Sequence, residues 1–117
     1  MNPNILEYHK QTILTGGQNL IHSEQDALDL VGECGADGTH LLLLRGQNLP
    51  DEFFDLKTQL AGFILLKFSN YRLKVTAVIP VERIGTGRFY EFAIETRRSS
   101  EFRIFTEEQT AIDWLVE

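Results

Sequence analysis

DEFFDLKTQLAGFILLKFSNYRLKVTAVIPV, Asp51 to Val81, runs from a long amphipathic stretch through Asn70 and Tyr71 directly into a β-branched one. At about 100° per residue, Phe53, Leu56, Leu60, Ala61, Ile64, Phe68 and Tyr71 fall within one arc, which predicts a single helix over 52–70 with one core-facing stripe. Asp51, Glu52 and Asp55 stand in its first turn, where the helix dipole favours negative charge. Asn70 tolerates the left-handed conformation of a helix stop. Arg72 to Val81, RLKVTAVIPV, then reads as a strand with Pro80 marking its end.

The flanking segments extend this alternation. QTILTGGQNLIH, residues 11–22, predicts two short strands around a turn at Gly16-Gly17-Gln18-Asn19. Ser23 opens a helix with Asp26 in the capping-box position, Ala27, Leu30, Val31 and Cys34 give its inner face, and Gly35 supplies its stop. HLLLLR, His40 to Arg45, is the kind of apolar run found in a strand buried on both faces. After Gly85-Thr86-Gly87, a helical pattern places Phe89, Phe92, Ala93 and Thr96 on one side, and EFRIF, Glu101 to Phe105, alternates as a strand. Thr106 and Gln109 form a second capping-box pattern ahead of Ala111, Ile112 and Leu115. The order β-β-α-β-α-β-α-β-α predicts a single-domain α/β sandwich over 1–117 with a mainly parallel, mixed sheet.

Composition bounds the function. At 117 residues, 43% hydrophobic and with eight Phe, the chain is one packed domain. One cysteine, Cys34, excludes an internal disulfide and suits a reducing cytoplasm. No apolar run reaches the roughly 18 to 20 residues of a membrane span, and the first residues lack the pattern of a signal peptide. A soluble cytoplasmic protein is expected. The net charge of −6 hides an asymmetry: residues 1–66 carry three basic and nine acidic groups, 67–105 eight basic and four acidic, and 106–117 four acidic groups alone. The overall acidity argues against nucleic acid as a partner, while the basic segment could meet an anion or an acidic partner.

FFDLKTQLAGFILLKFSNYRLKVTAVI and RFYEFAIETRRSSEFRIFTEEQTAIDWL resemble an uncharacterised bacterial family, the domain of unknown function DUF4180. The resemblance runs from about Ala27 to Leu115, and the family name carries no activity. The family commonly reads T-G-L-A-G-E-x-L-Q-K-F; here Gln59 stands for the glycine, Phe63 for the glutamate and Leu66 for the glutamine. The element order and the close FTEEQTAIDWL also look like STAS domains, the fold of bacterial anti-sigma-factor antagonists. Those antagonists carry a phosphorylatable serine after the third strand; the matching turn, Asp51 to Thr58, has none.

The chemistry-bearing residues are sparse. His9, His22 and His40 lack any metal-ligand spacing, so no metal is expected, and no Gly-x-Ser-x-Gly or Walker pattern implies catalysis or a cofactor. Glu91 and Glu95 share one helix face, as solvated carboxylates do. With Phe53 at zero, Lys57 and Lys67 fall at about 40° and 320°, within the apolar arc. Each can lay its stem on the core and keep its ammonium wet, Lys57 pairing with Asp55 or another acid. The alternative is an anion site built from Lys67, Arg72, Arg83 and Arg88, with Gly85-Thr86-Gly87 beside it. On the outer side of the same helix, Gly62, Phe63, Leu65 and Leu66 predict an apolar patch. Either another element of the chain, such as 88–97, covers it, or a second copy docks there as a homodimer. The leading expectation is a non-catalytic interaction module that self-associates or binds a protein partner; the alternative is a small-anion or small-ligand binder.

Overall fold

The computed structural model describes residues 2–117. β1 (Ile5–Tyr8) pairs antiparallel with β2 (Gln11–Thr15), and β3 (Leu41–Arg45), β4 (Lys74–Val78) and β5 (Phe102–Phe105) follow in parallel. The sheet order is β1-β2-β3-β4-β5, identical to chain order. Between the strands run α1 (Glu24–Ala36), α2 (Asp51–Phe54), α3 (Leu60–Asn70), α4 (Val81–Ile84) and α5 (Arg88–Glu95), and α6 (Glu108–Leu115) follows β5. This is the α/β sandwich with a mixed, mainly parallel sheet that the alternating pattern predicts.

Strands added in one direction by crossovers of one hand put their connecting helices on one face. The core divides accordingly. Leu14, Leu42, Leu44, Val75, Ala77, Phe102 and Ile104 pack against α1, α3 and α5, whereas Ile13, Leu41 and Leu43 pack against α6. β3 has no polar face, and Leu42, Leu43 and Leu44 are fully buried.

Among the described residues α6 alone covers its face, and it is held by charge at both ends. Arg45 Nε donates to Glu108 Oε1 at 2.7 Å in its first turn, and Lys74 Nζ donates to the Trp114 carbonyl at 2.8 Å in its last. Both contacts complement the helix dipole. The Arg45 hydrogen bond holds the Glu108 carboxyl below its ordinary range. The contact therefore stabilises the fold at neutral pH and is lost as pH falls through that lowered value, although at 43% side-chain exposure it contributes at most about 1 kcal/mol. Lys74 and Arg103 both lie over the Trp114 ring, 4.6 and 5.0 Å from its centroid. Burial pulls the Lys74 ammonium below the usual lysine range.

Several local expectations are corrected. The hairpin lies earlier than 11–22: β1 and β2 meet through His9 and Lys10, both at positive φ (51° and 63°), the pattern of a tight primed turn. Gly16 to Ile21 is instead a loop fastened to the end of β3. The Asn48 side chain donates to the carbonyls of Gly17 and Asn19, and the Ile21 N–H donates to the Asn48 carbonyl. Gly16 permits that approach, since a Cβ there would stand 2.6 Å from Asn48 Cγ. α1 runs past Gly35, and the left-handed residue beyond it is Gly38. Gln109 reaches Tyr8 Oη and Asp113 instead of closing a capping box with Thr106, because α6 begins at Glu108.

The largest correction concerns 52–70. The helix is broken into α2, a 3-10 turn at Leu56–Thr58, and α3. Side chains compete with the helical ladder there: Asp55 accepts from the Lys57 N–H, and Thr58 Oγ1 donates to the Glu52 and Asp55 carbonyls and accepts from the Leu60 N–H. Gln59 then takes φ 64°, a left-handed conformation. The stripe keeps Phe53, Ala61, Ile64 and Phe68 buried, but Tyr71, expected on it, is 56% exposed. It is the C-cap of α3, and the following Arg72, not Asn70, takes the positive φ.

Phe68→Ala is expected to destabilise by about 3 to 5 kcal/mol in chemical denaturation, since its ring is 2% exposed within the larger cluster. Gln59→Gly should raise stability by up to about 1 kcal/mol, because relief of the left-handed strain exceeds the added chain entropy. An unchanged or lower midpoint contradicts the strain.

Candidate functional site

Of the four basic residues expected around an anion, Arg83 and Arg88 line one depression, and Lys67 and Arg72 lie outside it. Arg83 is spent internally: Nη1 donates to the Gly46 carbonyl at 2.7 Å, Nη2 to the Leu49 carbonyl at 3.0 Å, and the guanidinium stacks 4.1 Å from the Phe54 ring centroid. Its remaining neighbour is Asp51, at 3.4 Å. Lys67 faces Glu24 of α1 at 3.9 Å, its side chain 30% exposed. Arg72 precedes β4 and Arg83 follows it, so the strand's length, roughly 16 Å for five residues at ~3.3 Å each, separates them. Arg88 opens α5 and shares one shallow depression with Lys57, Arg83 and Asp55. Lys57 meets Asp55 through its backbone N–H; no ion pair of its ammonium occurs among the described residues.

A depression of about 890 Å³ lies beyond the carboxyl ends of β3 and β4, lined by Leu20, His22, Gln47, Asp51, Thr58 and Arg83 among others. Ligands of open α/β sheets gather at that end, at the point where strand order reverses. Here the order never reverses. Arg83, the basic side chain in the depression's lining, is already bonded to backbone carbonyls. Among the described residues no buried side-chain nitrogen or oxygen lacks a partner, and no three His, Cys, Asp or Glu side chains gather as a metal site. No helix among them is long and apolar enough to cross a membrane.

The outer side of α3 is different. α3 packs on α1 but stands off α5, which leaves a groove of about 430 Å³. Gly62, Leu65, Leu66 and Ser69 form its α3 wall, Phe92 and Glu95 of α5 with the following Thr96 the opposite wall, and Phe102 of β5 also lines it. Leu66 is 56% exposed and Phe63 45% exposed, whereas Leu65 is half-buried against the core. The helix at 88–97 therefore flanks the patch without covering it. Sequence reasoning found the α3 half. It missed Phe92, Thr96 and Phe102, which read as ordinary core positions and become groove lining only because α5 is held away. A Cβ built on Gly62 meets no atom within 4 Å, so nothing inside this chain requires glycine there.

A family model described as a domain of unknown function (DUF4180) matches residues 7–115. The chain belongs to this family. No curated protein and no solved structure matches it. In this DUF4180 member the groove and the exposed Phe63 and Leu66 put apolar surface on the outer side of α3.

Cys34 of the same chain lies on the buried face of α1, and burial, helped by Glu33 and Asp37, pushes its thiol up to about 12. The thiolate is the reactive form, so iodoacetamide at pH 8 should leave the folded protein unmodified and label it fully in denaturant. Stoichiometric labelling under native conditions contradicts this burial.

Proposed function

We propose that this chain is a small non-catalytic interaction module of the reducing cytoplasm that self-associates through the outer face of α3. The observation that carries the reading is the exposed apolar pair Phe63 and Leu66 beside Gly62. A glycine in a helix interior costs about 1 kcal/mol relative to alanine, and no atom of this chain occupies the space its missing side chain leaves. A second backbone approaching closely would use that space. Phe63 and Leu66, exposed on either side of it, supply the apolar surface that such an approach removes from water. A two-fold helix-to-helix contact needs only one self-complementary patch, and a projecting Leu66 beside a groove on the same helix is such a patch. The likeness of the element order to STAS domains, the fold of anti-sigma-factor antagonists, is in keeping with a protein that acts through other proteins.

Replacing Phe63 with Glu and Leu66 with Gln, the choices common in the family pattern, should halve the particle mass in sedimentation while the far-ultraviolet circular dichroism stays native. Gly62→Ala separates fold from function by sign: it should raise the stability of the dilute chain by up to about 1 kcal/mol and weaken association. A double variant that keeps the wild-type mass sinks the α3 interface, and one that unfolds assigns these residues to the core.

A further inference from the structure

The two edges of the sheet are finished differently. In the β1–β2 ladder Ile5 faces Leu14, and the Thr15 N–H donates to the Asn4 carbonyl at 2.8 Å. That pattern makes Ile5–Leu14 and Glu7–Thr12 the non-hydrogen-bonded pairs of an antiparallel ladder. The backbone N–H and C=O groups of Ile5 and Glu7 therefore point away from β2, out of the sheet, and no backbone or side-chain acceptor among the described residues meets those donors. On β5 the Glu101 and Phe105 carbonyls accept from β4 and the following loop, which turns the N–H groups of Phe102 and Ile104 outward. Both are capped. Ser99 Oγ accepts from Phe102 at 3.1 Å, and Thr96 Oγ1 accepts from Ile104 at 3.2 Å while donating to the Ala93 carbonyl at 2.6 Å. One edge is closed by hydroxyls from its own chain; the other presents a free row of backbone groups.

We propose that β1 is a docking edge for a second copy of this chain, which adds its own β1 antiparallel about Leu6 and joins the two sheets into one. Two outward N–H and two outward C=O groups at strand spacing are matched by another strand. With Leu6 on the two-fold axis, Ile5 faces Glu7 of the second copy and Glu7 faces its Ile5. Both become hydrogen-bonded pairs, and Glu7 does not stand directly opposite another Glu7. The side chains continue as the backbone does. Ile5 packs on the core of the α1 face and Leu6 and Tyr8 on that of the α6 face, and all three are left partly exposed at the edge. A second copy extends both layers past the axis. β1 and α3 are separate surfaces, and a chain with two self-complementary patches assembles in two steps, to a closed tetramer or a filament.

Glu7→Pro removes one outward donor and the Thr12 Oγ1 to Glu7 Oε1 bond, and it leaves the β1–β2 backbone hydrogen bonds in place, because the Glu7 N–H is not part of that ladder. Sedimentation of the wild type, Glu7→Pro, the Phe63→Glu/Leu66→Gln variant and the combined variant tests both surfaces. Glu7→Pro should reduce the wild-type assembly to the α3-linked dimer, and in the α3-variant background it should convert a dimer to a monomer. Hydrogen exchange on the unmodified protein gives a second reading that does not depend on a proline. The Ile5 and Glu7 amides should slow by about tenfold or more where the protein is associated and exchange freely on dilution, while Leu6 and Tyr8 stay protected throughout. An unchanged mass for a folded Glu7→Pro, or unprotected Ile5 and Glu7 amides in the associated protein, overturns the proposal. A wild-type chain that is monomeric at every concentration overturns the second copy as occupant and leaves the edge to a strand of another polypeptide. The α3 reading fails independently, when the Phe63→Glu/Leu66→Gln variant keeps the wild-type mass.

Discussion

Leu41, Leu42, Leu43 and Leu44 are each 3% exposed or less, and a strand with no polar face has to be covered on both sides. At about 1.5 to 3 kcal/mol for each fully buried leucine, the four contribute something like 6 to 12 kcal/mol before entropy is counted, comparable to the whole stability of a small domain. The rest of the chain serves that burial. α1, α3 and α5 roof one face, and among the described residues α6 is the only helix on the other. Because that second face depends on a single eight-residue helix, which is short to be stable alone, its anchoring by Arg45, Lys74 and Trp114 follows from the same constraint.

The basic residues between Lys67 and Arg103 look, in the sequence, like a surface waiting for an anion. In the fold much of that charge has a structural task. Arg83 ties α4 to the carbonyls that end β3, Lys74 and Arg103 border the indole that seats α6, and Lys67 leans toward Glu24. Charge asymmetry along a chain is evidence of a binding surface only if the charges meet in space, and the length of β4 keeps Arg72 from Arg83. The apolar surface of α3 has no comparable internal use, and this contrast directs attention to contacts with other chains.

Element type was legible wherever apolar period and length agreed. HLLLLR gave a doubly buried strand, the Ala27–Cys34 spacing gave α1, and the 88–96 pattern gave α5, because in each case tertiary burial and local pattern ask for the same residues. Three of the failures share one cause. Where backbone conformation is set by side-chain hydrogen bonds or by left-handed residues that are not glycine, hydrophobic period says nothing. Thus the His9-Lys10 turn carries no Asn-Gly signature, the break at Asp55 to Gln59 hides inside an unbroken apolar stripe, and Arg72 turns the chain where Asn70 was expected to. The candidate surface was half legible for a related reason: Gly62, Phe63 and Leu66 lie on one helix and can be phased, but the far wall of the groove depends on how two helices are spaced.

The strand order has a kinetic meaning as well as a geometric one. Each of the parallel pairs joins segments about thirty residues apart in the chain, from Thr15 with Leu43 to Val75 with Phe102. Loop closure over such distances grows only as the logarithm of length, so each pairing meets a similar and moderate entropic barrier, and none waits on a partner from the far end of the chain. A sheet whose spatial order equals its chain order can grow by accretion from the β1–β2 hairpin. Every strand that arrives is, at that moment, an edge strand, and its docking never requires an earlier pair to open.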